Sequence, residues 1–191
     1  WFILFLYLAM SITGILYNIR LVPPYLAKGK SCRIKDLPAS KTILIAIAWG
    51  IATALFPPFL QNGILSWASC FVFIWATGLV FVRTAFFDIL DMHGDRMVGR
   101  ETLPIVLGAE RTQSLLKIIL IMLAAMAVTG SWTGLIPSLG FGLAACPVYL
   151  LILLILHQKG RLLASNRLEF LVESNLILTG AITWFYSNFT I

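Results

Sequence analysis

Apolar and charged positions are separated along this chain into long blocks. Charged residues are missing from residues 42–82 and again from 118–158, and both stretches are mostly apolar. A helix that crosses a membrane needs about 20 apolar residues, so each stretch is long enough for two such helices joined by a tight turn. Turn-forming residues stand near the middle of each stretch, Gln-Asn-Gly at 61–63 and Ser-Trp-Thr-Gly at 131–134. The pattern therefore predicts two helical hairpins.

The two ends of the chain follow the same pattern, since residues 1–19 and 174–191 carry no charge. The apolar runs lack the alternation that strands require, and helices satisfy their own backbone hydrogen bonds in lipid. The fold class predicted is an all-α polytopic transmembrane bundle of six spans. They are expected near residues 1–18, 42–60, 64–87, 113–131, 135–156 and 171–189.

Composition excludes the other broad classes of protein. Of the 191 residues, 60% are hydrophobic and 12% are charged, whereas soluble domains average about 25% charged residues. One small core could not bury so much apolar surface, which argues against a soluble globular protein. The same hydrophobicity argues against a disordered chain.

The charged residues also predict how the chain is oriented. All 14 lysines and arginines fall in the segments 20–41, 83–117 and 159–167. Six spans place these segments on one side of the membrane, and the positive-inside rule makes that side cytoplasmic. We therefore expect a multi-pass integral membrane protein with its charged loops and active site on the cytoplasmic side. The net charge of +6 favours anionic lipid or a phosphorylated substrate over nucleic acid as a partner.

Three acidic residues cluster where the third predicted span ends. Asp88, Asp91 and Asp95 are spaced at i, i+3 and i+7, which places them within about 60° of one another on an α-helix. Carboxylates held this close repel one another unless a cation lies among them, and hard oxygen ligands suit Mg²⁺. The alternative is a solvated helix end that is merely acidic. Because the acids end a membrane helix and lie beside Arg96 and Arg100, we predict a magnesium–diphosphate site.

The aspartates belong to a longer pattern. It consists of Asp88, Asp91, Gly94, Asp95, Gly99, Thr102, Leu103 and Pro104. This pattern resembles the second aspartate-rich motif of the UbiA-type intramembrane prenyltransferases, which in one branch reads D-x-x-D-x-x-G-D-x-x-x-G-x-x-T-L-P. Tyr17 followed by R-I-K-D-L-P-A-S-K at 33–41 is similar to a second stretch of that family, and residues 169–173 with Gly180 are similar to a third.

The resemblance implies an all-helical fold of nine spans around a cavity, in which aspartate-rich motifs hold Mg²⁺ on a prenyl diphosphate. The prenyl group would pass to a lipid or aromatic acceptor of the quinone-precursor, ether-lipid or chlorophyll type. Asp88, Asp91 and Asp95 would then be metal ligands, and no residue is assigned as a catalytic acid, base or nucleophile. The candidates for binding the diphosphate are Arg96, Lys35, Arg33 and Lys41, for which lipid headgroup contact is the alternative. The candidates for an acceptor pocket are Glu173 and Tyr17.

The sequence departs from the family pattern at two points. The first aspartate-rich motif, N-D-x-x-D-x-x-x-D, is missing, since no Asp precedes Asp36. We therefore expect residues 1–191 to form a single prenyltransferase-like domain that lacks three N-terminal spans and one metal site, and that does not turn over alone. Several family members carry an acid after the residue that matches Arg83, but here Thr84 follows it, which leaves the class of acceptor open.

Two other classes of protein remain as alternatives. A CDP-alcohol phosphotransferase also uses aspartates borne on helices, but it would need an Asp-Gly pair followed by Ala-Arg and two later aspartates at helical spacing. No Asp follows Asp95. A transporter or non-catalytic membrane subunit would more often place ionisable groups near the middle of the bilayer. Both predicted hairpins are free of them, which favours the enzyme.

Overall fold

The computed structural model describes residues 39–160 and 165–189, together with the single residues Leu8, Ser11, Ile15 and Ile19. Every regular element in this part of the chain is a helix, and five helical segments are long and apolar enough to cross a membrane. The prediction of an all-α polytopic bundle is confirmed. The span predicted at 1–18 lies almost wholly outside the described residues.

Several helices combine into longer spans. In chain order the helices are α1 (Ser40–Gly50), α2 (Phe56–Asn62), α3 (Trp67–Leu90), α4 (Met92–Met97), α5 (Leu103–Leu107), α6 (Ala109–Trp132), α7 (Leu139–Leu143), α8 (Ala145–Gln158) and α9 (Ser165–Phe189). The candidate spans are Ser40–Gln61, Trp67–Leu90, Ala109–Trp132, Leu139–Gln158 and Arg167–Phe189. Helices α6 and α9 begin several residues before the predicted spans, because a helix continues through polar residues beyond the apolar run.

A π-helical segment, Ile51–Leu55, connects α1 to α2 inside the span Ser40–Gln61. It precedes the Pro-Pro pair at 57–58, which has no backbone N–H groups to donate to the preceding turn. The N–H of Phe56 instead reaches back five residues to the carbonyl of Ile51. The span therefore stays helical across the prolines by widening one turn.

Both predicted turns are confirmed by the glycines that end the helices. Gly63 follows Asn62 in the left-handed conformation (φ 67°) and donates its N–H to the carbonyl of Phe59 at 2.9 Å. Gly134 lies just beyond Trp132 and also has a left-handed φ of 72°. Glycine takes this conformation without a steric cost, which is why helices so often end on it.

The core lies between α3, α6, α8 and α9. The buried stripe of α3 comprises Trp75, Leu79, Val82, Phe86 and Ile89, and that of α6 comprises Leu116, Leu120, Leu123 and Ala127. Both stripes recur every three to four residues, so each helix turns one face inward. The two helices approach closely at Gly78, where a Cβ would lie 2.8 Å from Cδ2 of Leu123.

The start of α1 and the end of α3 lie at the same end of the bundle. The hydroxyl of Thr42 donates to the carboxylate of Asp88 at 2.7 Å, and the N–H of Ala39 donates to the carbonyl of Glu101 at 3.3 Å. We call this region, residues 39–42 and 88–101, the aspartate end. Its cytoplasmic orientation stays a prediction.

Candidate functional site

Asp88 lies in the last turn of α3 and faces α1. Its Oδ2 accepts the hydrogen bond from Thr42 Oγ1. Thr42 is only 2% exposed, whereas Asp88 is half-buried. The contact joins residues 46 positions apart, so the packing of α1 against α3 creates it. One oxygen of the Asp88 carboxylate therefore has a fixed partner inside the protein.

The three aspartates do not share one continuous helix, which corrects the prediction from their spacing. Helix α3 ends at Leu90, Asp91 has φ −95° and ψ 12°, and Asp95 belongs to the short helix α4. Helical hydrogen bonds persist across the break, since Asp91 N–H donates to Phe87 and Asp95 N–H donates to Asp91, both at 2.9 Å. The non-helical ψ at Asp91 turns the chain, so the aspartates differ in their surroundings.

Asp91 is exposed and lies against Gly94. A Cβ built on Gly94 would stand 2.5 Å from Oδ1 of Asp91, closer than side chains approach one another in folded proteins. The absence of a side chain at this position therefore gives the carboxylate its room. A side chain at position 94 would require the exposed Asp91 carboxylate to move.

Asp95 is 4% exposed and makes its ion pair inside its own loop. Arg100 Nη1 lies 3.3 Å from Oδ1 of Asp95, and the Arg100 N–H donates to the Asp95 carbonyl at 2.9 Å. Between them, Gly99 takes a left-handed φ of 72° that lets the chain reverse. Asp95 thus holds the loop closed, a role that its spacing did not predict.

The aspartate end carries both negative and positive charges within reach of one another. Asp88 interacts electrostatically with Asp95, Lys41 and Asp91. Lys41 and Arg96 are exposed. Among the described residues, the charges of the other two predicted metal ligands and of one predicted diphosphate-binding lysine thus act on Asp88, but the three aspartates do not form one cluster around a common point. Three other predicted site residues, Arg33, Lys35 and Tyr17, lie outside the described residues.

Glu173 lies elsewhere, and its predicted position is corrected. It belongs to the third turn of α9 rather than to the start of the span, because α9 already begins at Ser165. Its carboxylate is bound by Arg83 of α3 through Nε at 3.2 Å and through a second, short contact from Nη2. The guanidinium also stacks 5.3 Å above the ring of Phe87. Glu173 is therefore ion-paired with Arg83. Thr42, which binds Asp88, approaches α3 from a different neighbouring helix, α1.

The donor set of the aspartate end fits Mg²⁺. Among the residues that the structure describes, no group of three or more His, Cys, Asp or Glu forms a ready metal cage. Mg²⁺ rarely needs such a cage, since it usually takes one or two carboxylates and shares its other positions with water and substrate phosphates. The half-buried Asp88 and the exposed Asp91 would be the carboxylates available for such binding.

Two residues of the site were missed by sequence reasoning. Thr42 precedes Asp88 by 46 residues, and Arg100 was considered only as a positive neighbour of the aspartates, not as the partner of Asp95. No spacing rule connects Thr42 with Asp88. A closed loop between Asp95 and Arg100 could have been predicted, because the two residues are only five positions apart and Gly99 lies between them.

Comparison with known proteins identifies the family of the chain. A sequence model of the UbiA prenyltransferase family matches residues 1–172, which include the aspartate end and most of the bundle. No curated protein and no solved structure gives a significant match. The matched range covers far more than half of the chain. This protein, an integral membrane protein by its helices, therefore belongs to the UbiA prenyltransferase family.

Proposed function

We propose that the aspartate end binds the diphosphate of a prenyl diphosphate together with Mg²⁺, and that the protein transfers the prenyl group to a lipophilic acceptor. The observation that carries this proposal is the Asp88 carboxylate, held by Thr42 and within electrostatic reach of Asp91, Asp95 and Lys41. Enzymes of this family generally use Mg²⁺ through aspartate-rich motifs, which supports the same assignment.

The residues of the site would divide the work of holding the diphosphate. Mg²⁺ would supply the positive charge that stabilises the departing diphosphate. Asp88 and Asp91 would hold the ion. Lys41 and Arg96, both exposed at this end, would bind diphosphate oxygens that the ion leaves free. Arg33 and Lys35 are proposed, from the sequence alone, to bind the diphosphate as well.

The chemistry proposed is an alkyl transfer. The bond between the first prenyl carbon and the diphosphate oxygen breaks, and its electron pair leaves with the diphosphate. The electron-deficient carbon then forms a bond with the acceptor, which loses a proton. Water would react with the same carbon, so the apolar helices around the site would protect it by excluding water.

The acceptor is proposed to be a lipid or an aromatic compound of the quinone-precursor, ether-lipid or chlorophyll type, approaching from the apolar interior. Glu173 and Tyr17 are proposed to lie near it. Both oxygens of Glu173 contact Arg83, so an acceptor at this position would meet a neutral pair rather than a free carboxylate. That arrangement suits an acceptor without charge.

Replacement of Asp88 and Asp91 by asparagine tests the proposal. We expect the full-length protein in detergent to bind farnesyl diphosphate in the presence of Mg²⁺ and to lose this binding in EDTA. In D88N and D91N the affinity should fall by at least about 100-fold, because even partners that only orient a metal ligand cost 10- to 100-fold. Isothermal titration calorimetry gives the affinities, and prenyl transfer to an added acceptor gives the activity.

The matched control is Glu110→Gln, which removes an exposed acid in the first turn of α6 without touching the aspartates. It should bind farnesyl diphosphate as tightly as the wild type. Binding that survives in D88N and D91N, or that does not depend on Mg²⁺, contradicts the proposal. A wild-type protein that binds no prenyl diphosphate at all points instead to a transporter or a non-catalytic subunit.

A further inference from the structure

The buried hydroxyl of Thr42 is directed at a carboxylate that the proposed function uses. Thr42 is 2% exposed, and its Oγ1 lies 2.7 Å from Oδ2 of Asp88. This is an ordinary distance for a hydrogen bond between two oxygens. When the carboxylate is ionised, such a bond is about twice as strong as one between neutral groups. A threonine hydroxyl has a single hydrogen, so Asp88 receives its whole donating capacity.

The backbone fixes the position of Thr42 independently of this bond. Ala39 adopts a left-handed conformation with φ 60°, which non-glycine residues rarely take, and the first helix starts directly after it. The N–H of Ala39 bonds to the carbonyl of Glu101 in the loop that follows α4. Thr42 therefore sits in the first turn of a helix whose start is tied to the aspartate segment.

The bond also decides how Asp88 would act as a ligand. Oδ2 accepts the bond from Thr42, and each carboxylate oxygen has two lone-pair sites, so the bond fixes the plane of the Asp88 carboxylate and leaves Oδ1 as the freer oxygen for a cation. The hydrogen bond to Oδ2 holds the Thr42 hydroxyl in this direction. Without the hydroxyl, the carboxylate could turn about its terminal torsion and present either oxygen.

We propose that Thr42 is a positioning residue that orients the Asp88 carboxylate for the divalent cation, an inference that rests on the proposed function. The site is then built from two segments far apart in the chain, the start of α1 and the end of α3. Residue 42 acts through Asp88 and has no contact with substrate in this assignment. It orients a ligand in the way that carboxylates and carbonyls orient metal-binding histidines.

The test compares Thr42→Val, which keeps the shape of the side chain and removes the hydroxyl, with Thr42→Ser, which keeps the hydroxyl. Mn²⁺ serves as the probe, and its binding to the full-length protein in detergent is followed by electron paramagnetic resonance without any substrate. We expect T42V to weaken Mn²⁺ binding about 10- to 100-fold, and T42S to restore most of the loss. The Mg²⁺ concentration for half-maximal farnesyl diphosphate binding should shift in parallel.

Thr53→Val is the matched control. Thr53 lies in the same membrane span, but its hydroxyl donates to the carbonyl of Trp49 in its own helix at 2.7 Å. T53V should bind Mn²⁺ as the wild type does. Circular dichroism and size-exclusion profiles of all variants show whether each is folded. If T42V does not fold, T42S and Thr42→Ala take its place, and Mn²⁺ binding must fall in T42A and not in T42S.

The outcomes separate this inference from the proposed function. If D88N weakens Mn²⁺ binding but T42V leaves it unchanged, Thr42 does not position the ligand and the inference fails alone. If D88N also leaves Mn²⁺ binding unchanged, Asp88 does not bind the cation, which contradicts the proposed function. T42S that is as weak as T42V, or T53V that is weakened equally, would also overturn the inference, because the loss would then not follow the hydroxyl.

Discussion

Helix α3 carries two polar centres that face different neighbours. Asp88 faces α1, where Thr42 binds it, and Arg83 faces α9, where Glu173 binds it. The two residues of α3 are five positions apart, which places them about 140° apart around the helix axis. Both centres lie in the half of the helix nearer the aspartate end. They differ in the charge and in the oxygen atoms that a ligand would meet.

The difference lies in the balance of charge. At the Arg83–Glu173 pair, one positive group meets one negative group through two contacts, so the charges cancel and each carboxylate oxygen has a donor. At Asp88, a neutral hydroxyl donates to one oxygen, and the two aspartates that act on it, Asp95 and Asp91, outnumber the one lysine, Lys41. A cancelled pair holds two helices together, whereas a surplus of negative charge attracts a cation. Both centres lie in the same half of α3, so their position along the helix does not distinguish the ion pair from the cation site.

Breaking the Arg83–Glu173 pair should have the largest effect on stability. The side chain of Arg83 is 20% exposed and that of Glu173 is 45% exposed, so the pair lies between surface and buried cases. Arg83→Ala should lower the free energy of unfolding by about 2 kcal/mol, between the values of those two cases. Unfolding of the detergent-solubilised protein by denaturant, with circular dichroism as the signal, measures the change.

The control for this prediction is Glu173→Ala, alone and combined with Arg83→Ala. Because the two residues interact, the double variant should lose less stability than the sum of the single variants. Mg²⁺-dependent binding of farnesyl diphosphate should persist in folded R83A. If that binding disappears while the fold remains, the two centres act as one site and the comparison drawn above is wrong.

Filling the space beside Asp91 should have an intermediate effect, confined to the aspartate end. In Gly94→Ala the new methyl group would overlap Oδ1 of Asp91, from which an ideal Cβ stands only 2.5 Å away. The carboxylate must move, so we expect Mn²⁺ binding to weaken about tenfold, as for other displaced metal ligands. Electron paramagnetic resonance of Mn²⁺ measures the affinity.

Gly180→Ala is the comparison for this substitution, since a Cβ at position 180 of α9 meets nothing within 4 Å. Alanine is the better helix former, so G180A should be as stable as the wild type or slightly more stable, with unchanged Mn²⁺ affinity. Equal Mn²⁺ affinities in G94A and the wild type would show that the position of Asp91 does not matter for the cation.

Removing the partner of Asp95 should have the smallest effect. The side chain of Arg100 is 60% exposed and that of Asp95 is 6% exposed, so water screens this ion pair from the arginine side only. Arg100→Ala should lower the free energy of unfolding by about 0.5–1 kcal/mol. Arg96→Ala removes an exposed arginine that forms no ion pair among the described residues, and its stability should match the wild type. A loss above about 3 kcal/mol in R100A would mean that the buried carboxylate of Asp95 has no compensation other than this arginine.

Much of the fold follows from the sequence because membrane thickness sets the length of an apolar helix. The charge-free runs predicted the spans, and glycines at 63 and 134 predicted where two of them end. The break at Asp91 could not be predicted, since its spacing to Asp88 and Asp95 suits an unbroken helix equally well. Nor could the burial of Trp75, because a tryptophan in a membrane helix suits lipid, an interface or the core alike.

The sequence by itself determined the fold class, the family pattern and the concentration of aspartates in one short segment. Only the tertiary structure decided which group each charged residue meets. Thr42 and Asp88 are 46 positions apart, and Arg83 and Glu173 are 90 positions apart. The periodicity of a helix tells which residues share a face, but the neighbour of that face depends on how all the helices pack. The partners, and with them the difference between a cation site and a neutral pair, therefore arise only when the bundle assembles.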